Sequence, residues 1–319
     1  MQRRFGGLII AAAFVAAACT GGTPSPSVAP SSAAPAASSA APSTAASPSA
    51  ATSPSAAASA EPIAGGLLDK VLKAGTLTVS TDPNYAPQSF LKPDGTYEGF
   101  DIDVANEIGK RLGVQVKFVT PDWDTITAGS WGGRWDVSVG SMTITADRQK
   151  VLDFSPPYYY TPAQMAASKS SGITTLDGLA GKTICAGKST TYLDWLNGKK
   201  LDFGSLSPTT TPPAGIKTVS LKTDQDCPQA WAARRNDFEG WLSAAPTVQD
   251  AIDKGLPVVK VGDPVYAEPL AVAIDKGGPT DTDFVQRVTD IVNAMHADGT
   301  LTQLSMKWYK LDLTQAPAG

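Results

Sequence analysis

Short apolar runs of strand length alternate along this chain with longer stretches whose apolar residues recur at helical spacing. Thr76 to Ser80 reads as a strand. Val104, Ala105, Ile108 and Leu112 fall on one face of a helix that Gly113 ends. Val114 to Val119 is the next strand, so the three segments form one βαβ unit, whose crossover is expected to be right-handed. Trp135 to Gly140 reads as a third strand, and Thr145 as the cap of a helix from Ala146. The chain is then expected to cross to a second lobe near Tyr160 to Ala166.

The pattern repeats there. Thr183 to Ala186 is a strand, a helix opens near Thr190, and Lys217 to Leu221 is a further strand. A helix follows from about Asp224, where Pro228 is tolerable in the first turn. Asp237 to Leu242 is a strand, Pro246 to Lys254 a helix, and Val258 to Val261 a strand. The chain returns to the first lobe near Tyr266. Phe284, Val288, Ile291, Val292 and Met295 mark a long amphipathic helix ended by Gly299, and Thr300 to Trp308 forms the last helix. Two crossings between lobes imply two hinge strands, a layout that closes by rotation around a ligand.

The first 66 residues differ from this pattern. Arg3 and Arg4 precede an apolar run from Phe5 to Ala18, interrupted by Gly6-Gly7. That run falls short of the about 20 residues a spanning helix needs, and it reads as a secretory signal. Cys19 follows Ala16-Ala17-Ala18 in what resembles a bacterial lipoprotein cleavage box, with Ala16 where Leu is usual. Residues 1–19 are therefore expected to be a signal with Cys19 as the lipidated residue; the plain alternative is secretion with Cys19 unmodified. Thr20 to Pro62 is almost wholly Ala, Ser, Pro, Thr and Gly. With no apolar face to offset the entropy of ordering, residues 20–66 read as a disordered tether. A coil of about 40 residues reaches roughly 35 Å.

The net charge is −4 and no basic stripe is present, which argues against nucleic acid as a partner. The 24 aromatic residues (Trp 7, Tyr 8, Phe 9) suffice for cores and a pocket. Once Cys19 is set aside, Cys185 and Cys227 remain; both fall in the second lobe, and export favours a disulfide between them over two buried thiols.

Three stretches carry the chemistry: Ser80-Thr81-Asp82-Pro83-Asn84-Tyr85-Ala86-Pro87, Gly99-Phe100-Asp101-Ile102-Asp103-Val104, and Ser141-Met142-Thr143-Ile144-Thr145-Ala146-Asp147-Arg148-Gln149-Lys150 with Asp153-Phe154-Ser155-Pro156-Pro157-Tyr158-Tyr159. Each sets polar residues past an apolar run, and small ligands bind outside the carboxyl ends of strands in α/β sheets. In order and spacing they resemble the periplasmic solute-binding proteins of polar amino acid ABC importers, from about Leu67 to about Leu313. The resemblance implies a two-lobed type II periplasmic binding protein fold, α/β, each lobe a mixed sheet flanked by helices. Lobe one would take residues 67–163 and 265–319, and lobe two residues 164–264. It also implies a monomer that hands a small ligand to a membrane permease from the outer face of the cell membrane, held there by its lipid anchor and needing no cofactor.

By the same resemblance, Arg148 grips the ligand carboxylate. A guanidinium does this with two parallel hydrogen bonds, and an expected helix start would add free N–H groups. Ser141, Met142 and Thr143 lie beside it and supply hydroxyls and main-chain N–H groups. The alternative for Arg148 is a surface ion pair with Asp147 or Asp153. Tyr85 and Trp123 match the family's pocket rings and would sandwich a ligand side chain, although Trp123 also reads as core or rim packing. Trp131 and Trp135 read as core. Asp82 would hydrogen-bond a polar ligand end, or serve only as a turn residue before Pro83. Thr190 and Thr191 match a Gly-Thr-Thr carboxylate contact in which Ser189 replaces the Gly; the alternative is a plain helix cap.

One position departs from the family. Its amino acid binders place an Asp at the end of the fourth lobe-two strand to pair the ligand ammonium. The matching stretch, Asp237-Phe238-Glu239-Gly240-Trp241-Leu242-Ser243-Ala244, has no acid there. A buried ammonium without a counter-charge is costly. Either Glu239 has taken the role, or Ser243 and main-chain carbonyls suffice, or the ligand is not a simple α-amino acid.

Other chemistries fail on the sequence. The one histidine, His296, reads as a solvated residue at a helix end, and a His-based triad is excluded. No Cys/His/Asp cluster has metal-ligand spacing. Gly181-Lys182-Thr183 lacks the upstream Gly of a phosphate loop and opens a strand. A cyclohexadienyl dehydratase-like enzyme on the same fold is the main rival, but it needs an acid in the loop that opens the helix at Thr190-Thr191-Tyr192-Leu193, where none stands. A sensing ectodomain would need a spanning helix and an output domain.

Overall fold

The computed structural model describes residues 61–317. The signal segment, Cys19 and the tether up to residue 60 lie outside them. In chain order the elements are α1 (Leu67–Ala74), β1 (Thr76–Ser80), β2 (Asn84–Tyr85), β3 (Ser89–Leu91), β4 (Tyr97–Glu98), α2 (Phe100–Leu112), β5 (Gln115–Val119), α3 (Trp123–Thr127), β6 (Val137–Thr143) and β7 (Leu152–Ser168). There follow β8 (Thr183–Gly187), α4 (Thr191–Leu196), β9 (Lys217–Leu221), α5 (Asp226–Ala232), β10 (Gly240–Ala244), α6 (Ala245–Asp253), β11 (Val258–Lys260), β12 (Tyr266–Asp275), α7 (Thr282–Ala297) and α8 (Thr300–Tyr309).

The main sheet runs β5-β1-β6-β12-β7-β10-β8-β9, with β11 also on β7. β1 is parallel to β5 and β6, and β8 is parallel to β9 and β10. β12 is antiparallel to β6 and β7, and β10 is antiparallel to β7. β7 and β12 are the two crossing strands. The first part of β7 gives Tyr158 and Tyr159 to one core, and the later part gives Ala163, Met165 and Ala167 to another. β12 reverses this, with Tyr266 in the second core and Leu270, Val272 and Ile274 in the first.

In lobe one, Leu77, Val79, Val137 and Val139 of the strands bury against Phe100, Val104 and Ile108 of α2 and Phe284, Val288 and Val292 of α7. The other face packs Ile126, Trp131, Trp135, Met142 and Leu152. Each fully buried side chain of this size contributes roughly 1.5–3 kcal/mol. In lobe two the alternation of β8 divides the core: Ile184 and Ala186 face Trp195 and Leu242, while Cys185 faces Cys227, Trp231 and Trp241. Cys185 and Cys227 are joined by a disulfide, as expected, tying β8 to α5.

α2 begins where only glycine fits. Gly99 has φ 134°, and a Cβ there would stand 2.1 Å from the Gln88 carbonyl oxygen. The glycine lets α2 start hard against that loop, which sends Phe100 and Asp101 inward beneath Tyr158.

Several boundaries differ from expectation. The strand read as Trp135 to Gly140 is Val137–Thr143, so Ser141 to Thr143 lie inside it. The strand read from Asp237 begins at Gly240 and runs to Ala244, because Glu239 is tied by its main chain to Thr183 and Ser168 before the ladder starts. No α-helix starts at Ala146. The segment makes one 3-10 turn, Arg148–Lys150, before β7 takes over. His296 is not simply solvated: it is half-buried, and its Nε2 lies 2.9 Å from the Pro157 carbonyl oxygen.

Candidate functional site

The ends of β1, β6, β8 and β9 open onto one cavity between the lobes. It is lined from lobe one by Asp82, Tyr85, Trp123, Gly140, Ser141, Thr143 and Arg148, from lobe two by Gly187, Lys188, Thr190, Thr191, Tyr192, Lys222, Thr223 and Asp224, and from the crossing strand β12 by Glu268.

Arg148 lies at its heart, 8 % exposed. Nη1 donates to the Thr143 carbonyl (2.9 Å) and Nη2 to the Ser189 carbonyl of the opposite lobe (3.1 Å). The guanidinium sits over the Trp123 ring at 5.6 Å. Two of its five N–H donors are thus placed on protein carbonyls, which fixes the plane and leaves others for a ligand. Its main-chain N–H donates to Thr145 Oγ1 (3.2 Å) in a short turn; with no α-helix there, attraction of an anion rests on the guanidinium itself and not on helix N–H groups. The alternative surface pairing with Asp147 or Asp153 is not observed, since Asp147 pairs with Lys150 and Lys199 and Asp153 with Lys276.

Ser141 lines the cavity, but its polar groups turn inward. With φ 55° its N–H donates to Tyr158 Oη (2.9 Å) and its Oγ to Asp101 Oδ2 (2.7 Å). Tyr158 Oη in turn donates to Asp101 Oδ1 (2.7 Å). Burial pushes the Asp101 carboxyl up to about 7, against the pull of these two donors. The hydroxyl and N–H expected to reach a ligand carboxylate are therefore spent on Asp101 and Tyr158 respectively. Met142 alternates to the other face of β6 and is wholly buried in lobe-one core, away from the cavity.

Tyr85 and Trp123 do reach the cavity from two loops. Tyr85 is buried with its hydroxyl 3.4 Å from that of Tyr192. Trp123 also packs on the lobe-one core, and its Nε1 donates to the Ser189 carbonyl (3.2 Å). Ser189 holds φ 60°, the left-handed region that favours glycine, which fits the Gly that the resemblance implies at this place. Thr190 caps α4: its Oγ1 accepts from Leu193 N (3.2 Å) and donates to the Gly187 carbonyl (2.7 Å). Thr191 Oγ1 and Thr143 Oγ1 (3.1 Å) both donate to Glu268 Oε1.

Asp82 uses Oδ1 for the turn, accepting from Asn84 N (2.7 Å), and still faces the cavity; burial raises it to about 6. Asp224 is buried, accepts from Gly187 N at 2.8 Å, and is raised to about 7 by burial, with the charges of Asp82 and Glu268 adding. Burial also raises Glu268. Glu239 and Ser243 do not line the cavity. Glu239 sits at the far end of β10, where Oε2 accepts from Thr183 N (3.1 Å), and Ser243 is wholly buried within the strand. Asp224, Tyr192, Lys188, Lys222 and Glu268 escaped the sequence reading. Asp224 carried a usable signal, since it follows the apolar end of β9; Glu268 is the one acid between Tyr266 and Ile274.

The walls touch. Lys188 pairs with Asp124 (2.8 Å), Lys222 with Asp122 (2.7 Å), Asn84 Nδ2 donates to Thr223 Oγ1 (3.0 Å) and Gln225 Nε2 to the Ala86 carbonyl (3.1 Å). Among the described residues no cluster of His, Cys, Asp and Glu could hold a metal ion, and no helix is long and apolar enough to cross a membrane.

Two lobes joined by two crossing strands, with a buried guanidinium, two rings and three carboxyls converging between them, define a small-molecule binding protein of the type II periplasmic fold. The chain belongs to the bacterial extracellular solute-binding proteins, family 3, whose model matches residues 77–311. It is similar to the L-cystine-binding protein TcyJ of Escherichia coli strain K12, 31% identical over 254 residues covering 78% of this chain and 88% of that protein. It is also similar to the L-arginine-binding protein of Pseudomonas aeruginosa, 25% identical over 243 residues covering 74% and 88%. Among solved structures it resembles the ancestral amino acid-binding protein AncCDT-1, a precursor of cyclohexadienyl dehydratase, with TM-score 0.64 and 30% identity over 76% of this chain and 99% of that one. An ancestral arginine-binding protein bound to arginine gives TM-score 0.63 and 27% identity over 74% and 98%.

Proposed function

We propose that this protein captures an amino acid between its lobes and delivers it to the permease of an ABC importer, acting as a binding protein and not as an enzyme. The observation that carries the reading is Arg148, buried at the centre of the cleft, oriented by carbonyls from both lobes and backed by Trp123. A guanidinium so fixed suits a carboxylate, and Tyr85 and Trp123 suit the flanks of a side chain. Thr143, Thr191 and Asp82 complete the set. Relatives named for L-cystine, L-arginine and histidine support an amino acid ligand. The cleft carries Asp82, Asp224 and Glu268 against Arg148, while Lys188 and Lys222 pair with Asp124 and Asp122 at its edge. That excess of acid favours a ligand with more than one cationic nitrogen. The dehydratase alternative gains no support from the loop at Ser189 to Tyr192, which holds no acid. Export, with lipidation at Cys19 and the tether beyond it, would leave a monomeric binding domain free to dock on its permease.

Ligand would close the lobes, with hinges near Pro162 to Gln164 and Pro264 to Ala267. A thermal-shift screen of the L-amino acids, L-cystine and L-ornithine tests the ligand class. Ligand at 100 times Kd adds about 2.7 kcal/mol, so a raised midpoint with at least one of them is expected. No shift with any of them overturns the amino acid reading. Small-angle scattering with the shifting ligand at saturation is expected to give a smaller radius of gyration than that of the empty protein, and an unchanged radius would count against closure on binding.

A further inference from the structure

The end of β10, where the resemblance implies an ammonium-pairing acid, reads Ser243-Ala244-Ala245 here. Neither acid nor hydroxyl near it fills the gap: Glu239 is engaged with Thr183 N at the other end of the strand, and Ser243 does not reach the cavity. The sheet supplies a carboxylate from another direction. β10 and β12 flank β7 on its two sides. Ala244 pairs with Ala163, Ala163 pairs with Tyr266 across the next ladder, and Glu268 lies two residues along, on the same face as Tyr266. Glu268 is 1 % exposed and lines the cavity. Burial holds its carboxyl above the usual range even though the charge of Arg148 acts on it. A buried carboxylate so placed is stabilised by a further cation beside it.

Its neighbour defines which cation. Thr143 touches both charges, its carbonyl accepting from Arg148 Nη1 and its Oγ1 donating to Glu268 Oε1. Asp82 and Asp224 share no hydrogen-bond partner with Arg148; Asp82 accepts from Asn84 N, and Asp224 accepts from Gly187 N and lies against Ser243. An α-amino acid carries its carboxylate and ammonium on one carbon, so its receptor must present a positive and a negative group side by side. Arg148 and Glu268 are that pair. Resting on the proposed amino acid reading, we infer that Glu268 is the counter-charge of the ligand's α-ammonium group, relocated from the end of β10 to the second crossing strand.

The test uses calorimetry on the secreted chain. The probes are the amino acid that binds it most tightly in the screen and the analogue of that compound lacking only the α-amino group. Wild type is expected to prefer the amino acid by at least about 30-fold, the lower end for losing one partner of a buried charge pair. Glu268→Gln keeps the shape and removes the charge. It is expected to weaken the amino acid by at least about 30-fold while changing the analogue by less than about threefold. Adding Ala244→Asp to Glu268→Gln is expected to regain at least about tenfold, because it places an acid at the end of β10. Unchanged or tighter amino acid binding by Glu268→Gln would overturn the inference and make Glu268 a resident occupant of the carboxylate seat. Wild type binding both probes equally would overturn it without any variant, while leaving the carboxylate role of Arg148 standing. Failure of every amino acid to bind wild type would instead remove the functional reading beneath it.

Discussion

The two walls of the cleft are built by different means. In lobe one, Asp101 sits under Ser141 and accepts hydroxyls on both carboxylate oxygens, so the wall is held by a buried polar network. In lobe two, the Cys185–Cys227 bond ties the strand that leads to Ser189 to the helix that follows Asp224, so the wall is held covalently. The difference shows in two carboxyls of similar titration. Asp101 and Asp224 are both pushed up to about 7 by burial, but Asp101 is enclosed by donors while Asp224 looks into the cavity. Equal shifts in proton affinity thus mark a structural acid on one side and a ligand-facing acid on the other.

The largest effect expected falls between the walls. Arg148→Ala removes one partner of a desolvated charge contact, costing roughly 2–5 kcal/mol of binding, read by calorimetry with the ligand found in the screen, while the unfolding midpoint of the empty protein moves far less. Near-equal affinities would take Arg148 out of the site. Next comes the covalent wall. Closing a loop of 42 residues is worth about 4 kcal/mol in the chain-entropy account, so replacing both cysteines by Ala should lower stability by that order. If denaturation lost little, the lobe-two wall would be held by packing alone, as lobe one is.

Titration separates the two carboxyls. Each has a folded value raised above the about 3.9 of an unfolded Asp. Stability from each is therefore full below about pH 4 and is lost as pH rises through about 7. The empty protein is expected to weaken over that window, and Asp101→Asn or Asp224→Asn should each flatten the slope. Only Asp224→Asn should also change how affinity varies with pH. A cationic ligand prefers Asp224 ionised, so affinity should fall as pH drops below about 7 in wild type and vary less in the variant. If Asp101→Asn flattened the affinity profile equally, the division of roles would be wrong. The smallest effect lies at Ser189, where a non-glycine residue in the left-handed region costs roughly 1–2 kcal/mol. Ser189→Gly should recover part of this as a rise of a few degrees in midpoint.

The sequence carried most of this architecture, because its information is periodic and local. Leu77 and Val79 at strand spacing, and Val104, Ile108 and Leu112 at helical spacing, fix which face is buried, and those elements appear where expected. Cysteine arithmetic gave the disulfide. What failed was long-range. The helix expected at Ala146 loses to β7, whose 17 residues begin at Leu152 and recruit the chain into the sheet. Ser141, expected from the resemblance to contact ligand, does line the cavity, but Asp101, forty residues upstream, claims its hydroxyl. Glu268 was invisible for the same reason. It is separated from Thr143 by 125 positions, and only the pairing of β12 with β6 and β7 brings it to the cleft.

That pairing has a mechanical side. Where β7 and β12 cross from one lobe to the other, Pro162 stands opposite Ala267 and Pro269 opposite Tyr160. Neither proline has an N–H to give the ladder, and the Tyr160 N–H goes instead to the Leu313 carbonyl (2.7 Å). The ribbon is therefore thinned of cross-ties over a few residues, and its register shifts again between Leu270 and Ala273. A sheet weakened along one line bends along that line. If the lobes part as proposed, the two prolines mark the stretch of the crossing ribbon where the fewest ladder bonds would resist.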